Sequence, residues 1–205
     1  MSRRATAATR PDSDSRSELL AATEKCLRKY GYAGLSTRRV AEAAGMPLSQ
    51  IHYHFGSKDA LVLALLEHQN QRLLERQEAT FAADIPLWQR WEKACDYLDE
   101  DIASGYVRVL QEMIAAGWSN PEIAAAVRAF LGGWYTLLKR IAQEASSRFG
   151  PFGQLKPDDI ATLVGNAFIG CEALLLLGFE EKEGMPIRRA LRRFGALIRA
   201  AEESR

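Results

Sequence analysis

Apolar residues recur at three- and four-residue intervals along most of this chain, and no stretch alternates in the two-residue rhythm of a strand. Leu19, Thr23, Cys26, Leu27 and Tyr30 fall on one face of a first helix, which Gly31 stops. Ser36 opens a short second helix through Ala44, Gly45-Met46-Pro47 turns the chain, and a third helix runs to Phe55. Ser57 caps a long fourth helix, Lys58 to about Glu78, that joins the N-terminal unit to the remainder. Pro86 begins a helix carrying Trp88, Trp91, Cys95, Tyr97 and Leu98, interrupted at Gly105, and another covers Val107 to Ala116. Asn120-Pro121-Glu122 combines an N-cap, a proline at the first helical position and an acid at the positive helix end; that helix reaches about Arg148. Pro157-Asp158-Asp159 starts the next on the same logic and Gly178 ends it. Pro186 starts the last, which is expected to bury Ile187, Ala190, Leu191, Phe194, Leu197 and Ile198. Nine helices without strands predict an all-α protein.

The second and third helices meet the demands of a helix-turn-helix. Val40, Ala41 and Ala44 give the first of the pair a small apolar face, and Gly45 sits where it must stop. Ile51 and Phe55 hold the other down at i, i+4 spacing, leaving Leu48, Ser49, Gln50, His52, Tyr53 and His54 on its outer side. Such a helix fits the major groove of double-stranded DNA, its N-terminal residues meeting base edges while the preceding helix meets phosphate.

Charge supports that placement only through its distribution. The formal net charge is +1, but residues 1–60 hold ten Lys/Arg against six Asp/Glu and the remainder 17 against 20. At 205 residues the chain can bury a sizeable core in one domain or two closely joined ones. Cys26, Cys95 and Cys171 are odd in number and far apart, which fits a reducing cytoplasm rather than a disulfide framework. Residues 160–179 are long and apolar enough to span a bilayer, yet Asn166 and Glu172 lie within them and acids flank them, so a helix buried in protein is the better reading. No catalytic, cofactor or metal motif is present; His52 and His54, two apart on a helix, face different ways and cannot share an ion. A non-enzymatic role is expected.

From Leu19 to about Leu66 the chain resembles the tetracycline-repressor (TetR) family of transcriptional regulators. The likeness rests on Gly31-Tyr32, Ser36 with Arg38, VAEAAG (Val40–Gly45) and IHYHFGSKDAL (Ile51–Leu61). It implies a nine-helix architecture: a disordered arm over residues 1–16, a DNA-binding domain over 17–60, and an effector-binding and dimerisation domain over 61–205. By position it carries DNA contact to Ser36, Thr37, Arg38, Leu48, Ser49, Gln50, His52, Tyr53, His54 and Lys58. Of these, Ser36, Arg38 and Lys58 would hold phosphates, and Gln50 and Tyr53 would meet bases; Gln suits adenine, whose N6 and N7 its amide can pair together. Ser49 would matter by being small, and His54 either contacts phosphate or packs. Arg3, Arg4 and Arg10 follow the minor groove or form a solvated tail. Two departures stand out: Pro47 replaces a frequent Ser, and His52 replaces a Tyr that usually bonds phosphate, a bond His is expected to donate in its place.

For the remainder the resemblance implies a homodimer through the last two helices on a palindromic operator, and a small-molecule effector whose binding tilts the fourth helix and releases DNA. Ala161, Gly165, Gly170 and Ala173 would permit close approach in that dimer. Trp88, Trp91, Tyr106, Met113, Trp118, Phe130, Trp134, Tyr135 and Phe168 either line an effector cavity or fill a core, which helical spacing does not separate. Glu112 and Glu172 lie among apolar neighbours; facing a cavity they favour a cationic or hydrogen-bonding ligand, and otherwise they serve dimer or surface contacts.

Overall fold

The computed structural model of the chain describes residues 12–82, 84–151, 153–179 and 184–204. Among them the regular elements are helices: α1 (Asp12–Gly34), α2 (Thr37–Ala44), α3 (Leu48–His54), α4 (Lys58–Ala82), α5 (Leu87–Ser104), α6 (Tyr106–Gly117), α7 (Pro121–Phe149), α8 (Pro157–Leu176) and α9 (Ile187–Glu203). Asn120 caps α7 as its sequence predicts, its side-chain oxygen accepting from the N–H groups of Glu122 and Ile123. Gly31 stands in a left-handed backbone conformation (φ 65°) and breaks the helical geometry of α1. That helix begins at Asp12, inside the segment expected as a disordered arm; Arg3, Arg4 and Arg10 lie outside the described residues.

The chain divides within α4 into two units, residues 1–67 and 68–205. In the first, α1 packs on α2, α2 on α3, and Leu19, Leu27, Val40, Ile51, Leu61, Val62, Leu65 and Leu66 close the core. The buried hydroxyl of Thr23 donates to the Leu19 carbonyl one turn back at 2.7 Å, which satisfies a polar group on an otherwise apolar face.

In the second unit α7 pairs with α8 and with α6, and α5 with α9. Cys95, Leu98, Phe168, Ile187 and Leu191 form a core cluster, with Trp91 edge-on to Phe168 at 5.5 Å. Two glycines set these spacings: a Cβ on Gly165 would stand 2.5 Å from the Tyr135 ring, and one on Gly195 2.8 Å from the Trp91 indole. The α5–α9 seam is completed by Arg188–Asp99 (2.7 Å) and by Arg192 between Asp96 and Asp99 (3.0 and 3.2 Å).

The last helix does not bury the face expected of it. Ile187, Leu191 and Gly195 are covered by α5, but Ala190 is exposed, Phe194 is 47% exposed and Leu197 66%. Likewise α8 buries only Ala161, Gly165 and Phe168, while Leu163, Leu176 and Leu177 face outward. Each has one partner face within the chain and one without; α8 is long and apolar enough to cross a membrane by composition.

Candidate nucleic-acid interface and buried cavity

Local chemistry builds the N-terminal site. Ser36 precedes α2 in extended backbone and its Oγ accepts the Arg39 N–H at 3.3 Å, so the cap uses an oxygen lone pair and leaves the hydroxyl hydrogen for an outside acceptor. Thr37 is half-buried beside it, and Arg38 is exposed with no hydrogen bond or ion pair among the described residues. Gly45 ends α2 at φ 63°, where a side chain would be strained, and Met46 N–H donates to the Ala41 carbonyl. Pro47 (φ −60°) is the residue before α3, contributing its carbonyl to Gln50 N–H at 3.0 Å in place of a side-chain cap.

With Ile51 fully buried, α3 presents its other side. Ser49, His52 and Tyr53 are exposed, Tyr53 to 72%, and Leu48 and Gln50 half-exposed. His54 is half-buried, its ring edge-on to Tyr53 at 5.0 Å and 6.0 Å from Phe55, so it packs. Lys58 is held in place, its Nζ 4.0 Å from the Tyr32 ring centre and donating to the Tyr32 carbonyl; the Tyr32 hydroxyl donates to Asp59.

His52 also makes a contact within its own turn. Its Nδ1 lies 3.1 Å from the Gly56 carbonyl oxygen, an acceptor, so Nδ1 carries the proton. In the neutral ring Nε2 is then an acceptor too, and only the doubly protonated imidazolium could donate to a phosphate.

The second unit holds a cavity of about 60 Å³ between α4, α5, α6, α7 and α8. Tyr106, Phe130, Trp134, Phe168 and Glu172 line it, all expected from sequence; Asn70, Gln77, Tyr97 and Asp101 join them and were not. The signal for the two amides was their seven-residue spacing on one face of α4 among apolar positions, interpretable only once that face has a partner. Desolvation pushes the Glu172 carboxyl up to about 7, opposed by the Gln111 amide, which donates to it at 3.2 Å. Burial also raises Asp101, against Arg76, whose guanidinium grips it at 2.7 and 2.8 Å. Burial raises the Tyr106 phenol well above its usual range, with Glu172 adding to the effect.

The other sequence candidates lie elsewhere. Trp88 sits under the Arg199 guanidinium at 4.8 Å, Glu112 pairs with Arg108 on α6, Met113 is fully buried in the α6 core, and Trp118 is 84% exposed. Tyr135 donates its hydroxyl to Asn166 at 2.6 Å. Helical phase decides this: Tyr106 and Met113 share the buried face of α6, but only the former reaches the cavity. Trp91 lines an adjoining apolar groove of about 390 Å³ bordered by α4, α5, α7, α8 and α9, which shares Phe81, Ala94, Leu138 and Phe168 with the cavity and where Leu163, Phe194 and Leu197 lie.

An N-terminal helix-turn-helix followed by a helical unit with a cavity is an arrangement suited to a DNA-binding regulator. Residues 19–65, which are α1 to α4 of the first unit, match the bacterial regulatory proteins of the tetR family. The HTH-type transcriptional repressor AcnR of Corynebacterium efficiens is 39% identical over 62 residues, 30% of this chain and 33% of its own length. The chain thus spans about a third of that relative. Fold similarity extends much further: FadR of Bacillus subtilis in complex with stearoyl-CoA superposes with a TM-score of 0.74 at 13% identity, covering 89% of this chain and 96% of that one. A transcriptional regulator of Saccharomonospora viridis in complex with choline gives 0.74 at 20% identity, covering 89% and 95%. The tetR-family match thus covers residues 19–65, and the likeness of the rest of the chain is one of fold.

Proposed function

We propose that this protein is a sequence-specific DNA-binding transcriptional regulator of the cytoplasm, most simply a repressor, that leaves a palindromic operator when a small molecule occupies its second unit. The observation that carries this reading is the family match over residues 19–65 falling on a helix-turn-helix whose outer α3 face exposes Ser49 and Tyr53 and half-exposes Gln50. In this reading Ser36, Thr37, Arg38 and Lys58 engage phosphates, Gln50 and Tyr53 read bases, and Leu48 and Ser49 set the approach. The uncovered faces of α8 and α9 favour a homodimer, which would set two recognition helices about 34 Å apart on successive major grooves. That solved structures of this fold hold choline or stearoyl-CoA supports a small-molecule effector here.

Selection of bound fragments from random DNA by the purified protein tests it. A near-palindromic site whose binding is lost on Gln50→Ala or Tyr53→Ala is expected; binding without sequence preference sinks the reading.

A further inference from the structure

The cavity of the second unit is polarised in one direction. Its titratable lining groups outside the tyrosines are two acids, Asp101 and Glu172, and no Lys, Arg or His lines it among the described residues. Asp101 has a counter-charge in Arg76, which also pairs with Glu100 at 3.1 Å and lies 4.1 Å from the Tyr97 ring centre, outside the cavity lining. Glu172 has none: among the described residues it accepts only from the neutral Gln111 amide. Two further oxygens of lining residues, Asn70 Oδ1 and Gln77 Oε1, are buried without a hydrogen-bond partner among the described residues. The rings of Tyr106, Phe130 and Trp134 line the same cavity. Buried acceptors with no donor and a carboxylate with no cation are costly in an empty site. Aromatic faces carry negative potential, so the rings and the acceptors alike favour a positive charge and not an anion. The volume, about 60 Å³, has room for roughly five waters and suits a small guest.

We propose that this cavity binds a compact organic cation, an ammonium centre walled by Trp134, Tyr106 and Phe130 with Glu172 as its counter-charge and the Asn70 and Gln77 oxygens as acceptors for its polar substituent. That the cation is also the effector rests on the regulator reading above; that it binds does not.

The test uses the full chain with tetramethylammonium and tetraethylammonium, and tert-butanol as an uncharged compound close in size and shape to the former, at matched ionic strength. Calorimetry without DNA and the melting midpoint should both report binding of at least one cation and none of the alcohol. Glu172→Gln, which keeps the side-chain shape, should weaken cation binding at least about tenfold, and Trp134→Leu about tenfold by removing a ring face; Trp118→Ala, outside the cavity, should change neither. Equal response to alcohol and cation, binding of neither cation, or undiminished binding by Glu172→Gln overturns the proposal. The same samples are then titrated against the selected DNA site. Cation binding with release of DNA supports both assignments, and binding without release overturns the effector role while the cation site stands.

Discussion

The indole N–H of Trp91 donates to the Leu191 carbonyl at 2.7 Å, which lays the ring across the next turn of α9 where a Cβ on Gly195 would meet its Cδ1 at 2.8 Å. That contact ties α5 to α9 only because position 195 lacks a side chain. Gly195→Ala should therefore lower stability by about 1–3 kcal/mol in urea unfolding, even after the helix-propensity gain of alanine, since a packed ring must move. Gly165→Ala should cost a similar amount against Tyr135. Gly132, in the same kind of helix with open space at its Cβ, should respond oppositely, Gly132→Ala gaining roughly 0.5–1 kcal/mol. Equal effects at all three positions would show that glycine entropy, not close approach, governs them.

Glu172 makes stability depend on pH in a stated direction. Its carboxyl stands at about 7 in the folded chain against 4.5 ordinarily, so between those values the folded state holds the extra proton. Stability from this group therefore falls as pH rises through that window, and the full penalty is present above it. Glu172→Gln removes the penalty: the variant should exceed the parent by about 2–3 kcal/mol near pH 8 and match it near pH 4.5, read from denaturant curves of both proteins. Asp101, Tyr106 and Arg76 bear on the same region from α5, α6 and α4, so the parent–variant difference is the informative quantity.

Cation binding in the cavity should follow the same ionisation. Tetramethylammonium affinity should rise as pH increases toward and past 7, because the carboxylate form supplies the counter-charge, and Glu172→Gln should flatten the profile. A flat parent profile would remove Glu172 from the site.

At the DNA face, the Nδ1–H of His52 is committed to Gly56, which leaves the neutral ring without a donor for phosphate. His52→Tyr restores an outward hydroxyl and should tighten binding to the selected site roughly threefold in fluorescence anisotropy, with sequence preference unchanged, as for a phosphate contact. Weaker binding would show that the His52 ring is itself a productive contact.

Glu202 accepts the N–H groups of Leu87 and Trp88, both at 3.0 Å, and so caps α5, whose own N-cap Pro86 has no side-chain acceptor. Glu202→Ala should cost about 1–2 kcal/mol by thermal or urea unfolding, the loss expected for a charged N-terminal cap.

The elements that could be read from the chain are those whose signals are local. Asn120-Pro121-Glu122 and Ser57 begin helices with partners two or three residues away, and Gly45 and Gly105 end them in left-handed backbone. The α3 face was legible for the same reason: Ile51 sits inside and Ser49, His52 and Tyr53 outside by helical phase alone. The cavity was legible in part. Tyr106, Phe130, Trp134, Phe168 and Glu172 converge there, but Trp88, Glu112, Met113 and Trp118, of the same chemical kinds, do not.

Local sequence determined the nine helices seen among the described residues and the helix-turn-helix, because backbone hydrogen bonds and side-chain periodicity act over a few residues. Only the tertiary structure decided which buried polar groups face one another. Asn70, Asp101 and Glu172 come from three helices, and their convergence on one cavity depends on how α4, α5 and α8 pack. The same holds for Glu202 on the start of α5 and Trp91 over Gly195: each partnership joins residues about a hundred positions apart, a distance over which no periodicity carries information.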